Sequence, residues 1–372
     1  MNTMHKLFRS NRVLVVYFLM LGVWLATTAM HIPDGYLSPI TSIILFVLVF
    51  PFWVRGIQRL REKLNAKTAP LVALFAAFSF VIMMFNVPLP GGTTGHAVGG
   101  ALAAIILGPE IATIAVSVAL IIQAIFFGDG GILAIGANCF NMAVVLPYVT
   151  HYIYQAIVKN VPANSKKRVW ASAIGAYVGL TVAAFFAAVE FGIQPALFHT
   201  ADGTPLYAPY PLSVSIPAMV IPHLLVASVI EAVVTAAVVA YLIKANQSAL
   251  NIAQTNALAP EMGNFSKWRA LWIGLGVLIV ASPLGLLAPG TAWGEWGAEE
   301  LIALGLPGIP AGLEKLSSLW SAPLPDYDLP ALGNANFAYI LSAIVGILIT
   351  AVIVWLFTLL VTRGKTQKTA TK

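Results

Sequence analysis

The sequence FAYILSAIVGILITAVIVWLFTLLV, residues 337–361, has no charged side chain in 25 consecutive positions. At 1.5 Å per residue such a helix is about 37 Å long, which exceeds the roughly 30 Å hydrocarbon core of a bilayer. The stretch therefore predicts a transmembrane helix, and comparable apolar stretches recur along the chain. They lie at about 38–56, 70–88, 110–127, 132–157, 169–192, 213–243 and 270–289.

A shorter apolar segment, 97–107, is followed by Gly108 and Pro109. A helix of this length covers only about half of the bilayer. Backbone breaks at membrane depth are tolerated only where protein surrounds them, so we expect a short or broken helix buried by its neighbours. The pattern as a whole predicts an all-α membrane protein with about eight or nine transmembrane helices.

The composition excludes a soluble globular protein. Hydrophobic residues make up 59% of the 372 residues and charged residues only 9%, whereas a soluble domain has about 25% charged residues. The net charge of +6 does not indicate nucleic acid binding, because the basic residues collect in alternate loops and in the C-terminal tail. This positive-inside pattern places residue 30 outside and the C-terminus in the cytoplasm of a bacterial or archaeal cell. The single cysteine, Cys139, excludes an intrachain disulfide.

Residues 1–29 have the pattern of a secretory signal peptide. A basic region ends at Arg12, an apolar region spans 13–25, and small residues occupy Thr27 and Ala29. Because signal peptidase accepts small side chains at these two positions, we predict cleavage before Met30. An uncleaved first transmembrane helix is the alternative interpretation.

Cleavage at this point would create a metal-chelating N-terminus, because His31 would become the second residue of the mature chain. The free amine of Met30 and the deprotonated amide nitrogen of His31 close one chelate ring on a metal. That amide and the imidazole Nδ1 close a second ring. Three nitrogens in one plane favour square-planar Ni²⁺ or Cu²⁺.

We predict His96 as the next ligand. It lies in the glycine-rich run 90–100 and on the same outer side as Met30. Glycines allow close approach of backbones, and Thr93 or Thr94 could cap the short helix that follows. The alternative is a packing-driven turn with a hydrogen-bonded histidine. Ionisable residues inside membranes are costly, which favours a functional role.

Further polar residues lie in apolar surroundings, and each has a structural alternative in hydrogen bonding between helices. Asn138 and Asn141 are three residues apart and share a helix face, so with Gln123 they could support a metal ligand. His223 and Glu231 are about 80° apart around a helix and about 12 Å apart along it. They could flank a path for an ion but could not bind one ion together.

Several chemistries have no motif in this sequence. It contains no phosphate-binding loop of the form Gly-x-x-x-x-Gly-Lys-Ser/Thr and no His-Glu-x-x-His metalloprotease motif, so we predict no enzyme activity of these kinds. A membrane redox or haem protein is an alternative of another class. Its axial ligands would come from His31, His96, His151, His199 and His223, but no two occupy paired positions on one span.

Three stretches resemble the CbiM/NikM family, the substrate-specific membrane subunits of energy-coupling-factor importers for cobalt and nickel. They are Met30 to Pro39, Gly91 to Gly100, and Phe127 to Met142. The resemblance covers about 30–245 and implies a metal held by residues matching Met30, His31 and His96. It implies Co²⁺ or Ni²⁺ as transported substrate, and a membrane coupling subunit and ATPase subunits as partners.

A second resemblance covers residues 268–372, which look like the small two-span NikN-like partner of these systems. The runs 282–287 and 308–315 resemble the module named for the residues Pro-Asp-Gly-Leu-Glu, although Ala311 stands where that module has its Asp. We therefore predict four parts: a signal peptide (1–29), a metal-binding core (30–245), a cytoplasmic linker (246–267) and a two-helix module with an external loop (268–372).

Overall fold

A computed structural model describes residues 31–63, 69–89, 93–244, 265–288, 293–303, 305–306 and 308–369. The predicted signal peptide (1–29), the predicted ligand Met30 and most of the predicted linker lie outside the described residues. Helices form most of the described chain. They are α1 (Pro39–Lys63), α2 (Ala69–Met83), α3 (Gly100–Leu107), α4 (Pro109–Phe127), α5 (135–158), α6 (Lys167–Leu197), α7 (Leu212–Lys244), α8 (Phe265–Ala281), α9 (Ala298–Ala303), α10 (Ala311–Ser317) and α11 (Ala335–Thr369).

Five of the described helices are long and apolar enough to cross a membrane, namely α1, α4, α6, α7 and the part of α11 within Ala335–Phe357. Large apolar side chains on the outer face of α1, among them Ile43, Val47 and Phe50, are exposed. Such a face suits lipid rather than water. Two shorter apolar helices, Ala69–Met83 and Leu271–Leu287, accompany the five.

A membrane protein with several spans is confirmed, but the predicted eight or nine spans are not, and several of the described helices are short or irregular. Helix α2 has 15 residues. Helix α5 is interrupted by a π-helical segment, Cys139–Val145. Similar π-helical segments end α4 at Gln123–Phe127 and divide α7 at His223–Ala227. Such π segments are rare and frequently lie at functional sites.

Helix α3 is the short broken element that the sequence predicted. All eight of its residues are buried, and it packs against α4, α5 and α6. Protein therefore surrounds both of its ends, as a helix shorter than the bilayer requires.

A two-stranded hairpin precedes α3, which departs from the all-α prediction. Strand β1 (Val87–Leu89) pairs with β2 (Thr93–Gly95) in antiparallel register, Val87 opposite Gly95. Thr93 and Thr94 thus lie in strand β2 and not at the start of α3, whose N-cap residue is Gly99. The prediction that Thr93 or Thr94 caps α3 is therefore wrong. The carboxylate of Glu231 accepts hydrogen bonds from the N–H groups at the start of this helix instead.

The C-terminal part packs on the core. Helix α11 packs along α2, and the Tyr339 hydroxyl donates a hydrogen bond of 2.9 Å to the Met84 carbonyl oxygen. Trp320 donates through Nε1 to the carbonyl oxygen of Ile125 at 2.9 Å. The segment before α9 lies over the start of the core, where the Tyr36 hydroxyl donates to the Trp296 carbonyl oxygen at 2.8 Å.

Candidate metal centre

The segment that follows the predicted cleavage site is held by backbone and amide hydrogen bonds. Asn138 accepts a hydrogen bond from the Ile32 N–H at 2.9 Å and donates to the Ile32 carbonyl oxygen at 3.1 Å. The Gly131 N–H donates to the same carbonyl oxygen at 2.9 Å. Asn138 therefore fixes the residue next to His31 and does so from α5.

Asp34 fixes the turn after this segment. Its carboxylate accepts hydrogen bonds from the N–H groups of Ile132 at 2.9 Å and Leu133 at 2.8 Å. Gly130 lies at φ +93°, and a Cβ there would lie 3.0 Å from the Cβ of His31. The glycine thus permits the loop after α4 to approach the N-terminal segment closely.

The structure brings His31 and His96 together. Their ring centroids are 5.1 Å apart, and both side chains are buried, with 2% and 0% of their surface exposed. His31 donates through Nδ1 to the carboxylate of Asp129, and its buried Nε2 has no hydrogen-bond partner among the described residues. A buried nitrogen without a partner is costly and indicates a missing ligand.

Glu231 positions the turn that presents His96. Its buried carboxylate accepts hydrogen bonds from the N–H groups of Val98 at 2.8 Å, Gly99 at 3.0 Å and Ala101 at 3.2 Å. These are the unpaired donors at the start of α3, which attract negative charge. Gly99 adopts φ +74°, and a Cβ there would lie 2.7 Å from the ring of Phe78. Glu231 is thereby engaged by the helix end and does not line the histidine pair.

Burial keeps the imidazole of His96 available as a ligand. Burial, together with nearby His31, lowers the pKa of His96 to about 3, so its imidazole is neutral at physiological pH. Its Nδ1 contacts the Ala97 carbonyl oxygen at 3.1 Å, which assigns the proton to Nδ1. Burial alone would raise the pKa of Asp129, but His31 and the Tyr327 hydroxyl hold it below the usual range.

Gln123 and Tyr327 support Asp129. Gln123 donates through Nε2 to the carboxylate at 3.2 Å and to the Tyr327 oxygen at 2.8 Å. The Tyr327 hydroxyl also donates to the Asp129 carboxylate. Neither Asp129 nor Tyr327 was predicted from the sequence as a site residue, although Asp129 lies in the stretch from Phe127 to Met142 that carries the family resemblance. The available signal was an acidic residue between glycines at the outer end of a span.

A second acidic residue reaches the site from the C-terminal part. The carboxylate of Glu295 accepts a hydrogen bond from the backbone N–H of His31. The two nitrogens of His31 that the predicted chelate uses, the amide nitrogen and Nδ1, therefore both face carboxylates in this structure. A metal that binds there must displace Asp129 and Glu295 from these nitrogens.

Two cavities meet at His31. The outer one, of about 510 Å³, is lined by four acidic residues, Asp129, Glu295, Asp326 and Asp328. The inner one, of about 30 Å³, is lined by side chains that include Asn141 and His223. Asn141 donates to the buried carboxylate of Glu190 at 2.8 Å, and His223 donates through Nδ1 to the Met219 carbonyl oxygen at 2.6 Å.

Within the part of the chain that the structure describes, no three His, Cys, Asp or Glu side chains converge as a metal-ligand set. The predicted site does not require such a set, because two of its ligands are main-chain nitrogens. One of those, the Met30 amine, lies outside the described residues.

The fold defines a helical membrane protein with several spans, and the buried histidine pair is its candidate ion site. Residues 31–249 match the family described as the cobalt uptake substrate-specific transmembrane region, and residues 267–363 match the PDGLE domain. The chain belongs to this family of metal transport proteins and is not an enzyme.

Relatives include the fused nickel transport protein NikMN of Rhodobacter capsulatus, 51% identical over 332 residues, which cover 86% of this chain and 94% of that protein. The cobalt transport protein CbiM of Roseiflexus sp. is 36% identical over 139 residues, 37% of this chain and 56% of that protein. A solved structure of a truncated transition metal transporter is 50% identical, with a TM-score of 0.55, and covers 58% of this chain and 99% of that one.

Proposed function

We propose that this protein is the substrate-binding membrane subunit of an energy-coupling-factor importer for Ni²⁺ or Co²⁺. One observation carries the proposal: the rings of His31 and His96 lie 5.1 Å apart in a buried site, and His31 comes one residue after the predicted cleavage position. A histidine pair beside a new chain terminus is the donor set of a borderline divalent metal.

The proposed ligands are the amine of Met30, the amide nitrogen and Nδ1 of His31, and Nε2 of His96. Three coplanar nitrogens favour Ni²⁺ over Co²⁺, because nickel accepts square-planar coordination. The relative that covers most of both chains is named as a nickel transport protein, and a more distant one is named for cobalt. We therefore rank Ni²⁺ as the preferred substrate and Co²⁺ as an accepted one.

The proposed topology has a cleaved signal peptide (1–29) and about eight or nine spans in the inner membrane. The mature N-terminus lies outside and the C-terminus in the cytoplasm, as the distribution of basic residues supports. Residues 30–245 form the metal-binding core, 246–267 a cytoplasmic linker and 268–372 the two-helix module.

The proposed partners are a membrane coupling subunit and ATPase subunits. The sequence has no phosphate-binding loop of its own, and the matched family region is described as the substrate-specific part of an uptake system. Energy for import would then come from ATP hydrolysis on separate chains.

Two measurements on the purified full-length protein test the proposal. Intact-mass analysis should give a chain that begins at Met30, and calorimetry should give one tight equivalent of Ni²⁺ per chain. Active protein that retains residues 1–29 would disprove the free-amine site. Protein that binds neither Ni²⁺ nor Co²⁺ would disprove the assignment of the substrate.

A further inference from the structure

The inner cavity is lined by polar atoms that have no partner. His31 Nε2, His223 Nε2 and Asn141 Oδ1 are all buried without a hydrogen-bond partner among the described residues, and all three side chains line this one cavity. Buried polar groups are almost always paired, so three unpaired ones at the same cavity indicate an occupant.

The remaining bonds of these side chains determine which atoms are left to bind it. His223 uses Nδ1 for the Met219 carbonyl oxygen at 2.6 Å, so the lone pair of Nε2 is available. Asn141 uses its amino group for Glu190 at 2.8 Å, so its carbonyl oxygen is available. Met142 and Met219 also line the cavity. An imidazole nitrogen is a ligand that suits a late first-row divalent metal such as Ni²⁺, and the amide oxygen offers a second donor.

The cavity is small. Its volume of about 30 Å³ holds roughly one or two water-sized species, because about 10–15 Å³ on the same measure holds one water. A hexahydrated ion does not fit, so an ion that enters has already lost most of its water. Mg²⁺ gives up water reluctantly, and the cavity therefore selects against it.

The helices are irregular where they supply these ligands. Asn141 lies in the π-helical segment of α5, and His223 begins the π-helical segment of α7, directly after Pro222. The rings of His31 and His96 are 5.1 Å apart, and His31 and His223 line the same cavity, so His31 links the other two histidines. They lead from the acidic outer cavity into the membrane-spanning part of the core.

We infer that His223 and Asn141 form a second, inner binding site, which receives the dehydrated Ni²⁺ or Co²⁺ ion from the outer site during import. The inference rests on the proposed function, because the outer site supplies the ion. The outer chelate removes the water shell, and the inner site replaces it with protein donors at membrane depth.

The test separates binding from uptake. In His223→Asn the amide nitrogen can keep the bond to the Met219 carbonyl while Nε2 is removed, and Asn141→Ala removes the amide oxygen. Each variant, with the wild type, is expressed with the coupling and ATPase subunits, and the uptake of radioactive nickel by cells is measured. Calorimetry on the purified full-length chain gives the Ni²⁺ affinity. The matched control is His151→Ala, because His151 is a histidine of α5 whose Nδ1, like that of His223, contacts a backbone carbonyl oxygen, that of Ala104.

We expect both variants to keep the Ni²⁺ affinity within about twofold of the wild type while uptake falls at least tenfold. His151→Ala should change neither quantity. A merely structural role would lower the membrane level, affinity and uptake together. His223→Gln, whose amide oxygen extends towards the position of Nε2, should recover part of the uptake.

Uptake by His223→Asn within twofold of the wild type, at equal membrane level, would overturn the inner site and leave the proposed function intact. A parallel loss of affinity and uptake in His223→Asn would also overturn it, because His223 would then serve the outer site. Failure of the wild-type protein to bind Ni²⁺ would instead contradict the proposed function itself.

Discussion

His31 must exchange hydrogen-bond partners if it binds metal as proposed. Its Nδ1 donates to Asp129, and its backbone N–H donates to Glu295. To bind an ion, the amide nitrogen must lose its hydrogen and the imidazole proton must move off Nδ1, so we expect metal binding to release at least the amide proton. The two carboxylates are placed to accept protons from these nitrogens.

Replacement of His96 by alanine should abolish tight Ni²⁺ binding while the protein still inserts in the membrane. The side chain is fully buried beside His31, and its removal takes away the one side-chain ligand outside the N-terminal segment. We expect affinity to fall at least tenfold, or about 1.4 kcal/mol, measured by calorimetry. His199→Ala is the control, because His199 is exposed and bonds only to a neighbouring carbonyl. An unchanged affinity in His96→Ala would reduce His96 to a packing residue.

Insertion of one alanine between the cleavage site and Met30 tests the free amine. All native side chains remain, but the nitrogen of Met30 becomes an amide, which is a much poorer ligand unless it loses its proton. We expect Ni²⁺ affinity to fall at least about tenfold, or 1.4 kcal/mol. N-terminal sequencing must show the added alanine. Wild-type binding and transport by such a protein would contradict the chelate but not the importer assignment.

Helix α3 depends on an element far away in the sequence. Its start is capped by Glu231 of α7, 130 residues away from Ala101, because α3 is too short and too buried to leave its N–H groups to water. The position of His96 is therefore set by how α7 packs. Correct placement of His96 therefore requires both α3 and α7 to pack as they do in this structure.

Replacement of Glu231 by alanine should destabilise the protein and weaken metal binding together. Three buried N–H groups would lose their acceptor, and one charged hydrogen bond contributes about 1.5–3 kcal/mol. We expect a lower apparent melting temperature in detergent and a lower Ni²⁺ affinity. Glu231→Gln keeps one acceptor oxygen, so its melting temperature and Ni²⁺ affinity should lie between those of the wild type and those of Glu231→Ala. Thr235→Ala is the control and should change neither quantity, because Thr235 lies four residues further along α7 and its buried hydroxyl has no hydrogen-bond partner in the described part of the chain.

Several helices could be predicted from the sequence, but the β-hairpin and the contacts between helices could not. Length and apolarity predicted α1, the short α3 and α11, because burial in lipid imposes those lengths. Motif position identified His31 and His96. The cap by Glu231 could not be predicted, since it depends on packing between α3 and α7. Nor could the π-helical segments at Asn141 and His223, because one extra residue in a turn leaves no mark on apolar composition.

The C-terminal part closes the outer side of the core. Tyr327 bonds to Gln123 at 2.8 Å, Gly312 donates to the Leu206 carbonyl oxygen at 2.8 Å, and Glu295 reaches His31. The outer cavity thus has walls from both parts of the chain. We therefore propose that both parts of the chain contribute walls to the candidate metal site.

Cutting the linker should not separate the two parts. A protease site placed between Gln247 and Asn251, followed by cleavage in mild detergent, should leave both fragments bound to each other with an unchanged Ni²⁺ affinity. The contacts of α11 with α2 and of Tyr339 with Met84 remain in place. Co-purification through a tag on one fragment measures the association. Loss of the other fragment during washing would show that the linker holds the parts together.

The burial of His31 constrains the order of steps in the biogenesis of this protein. Only 2% of its surface is exposed, and the proposed cleavage position lies two peptide bonds earlier. A signal peptidase needs an extended, accessible strand across its active site, so it must act before the segment docks beside Asn138 and Asp129. A chain that docks first would retain its predicted signal peptide and would lack the free Met30 amine that we propose as a nickel ligand. We therefore predict that signal-peptide cleavage precedes the docking of the N-terminal segment on the core.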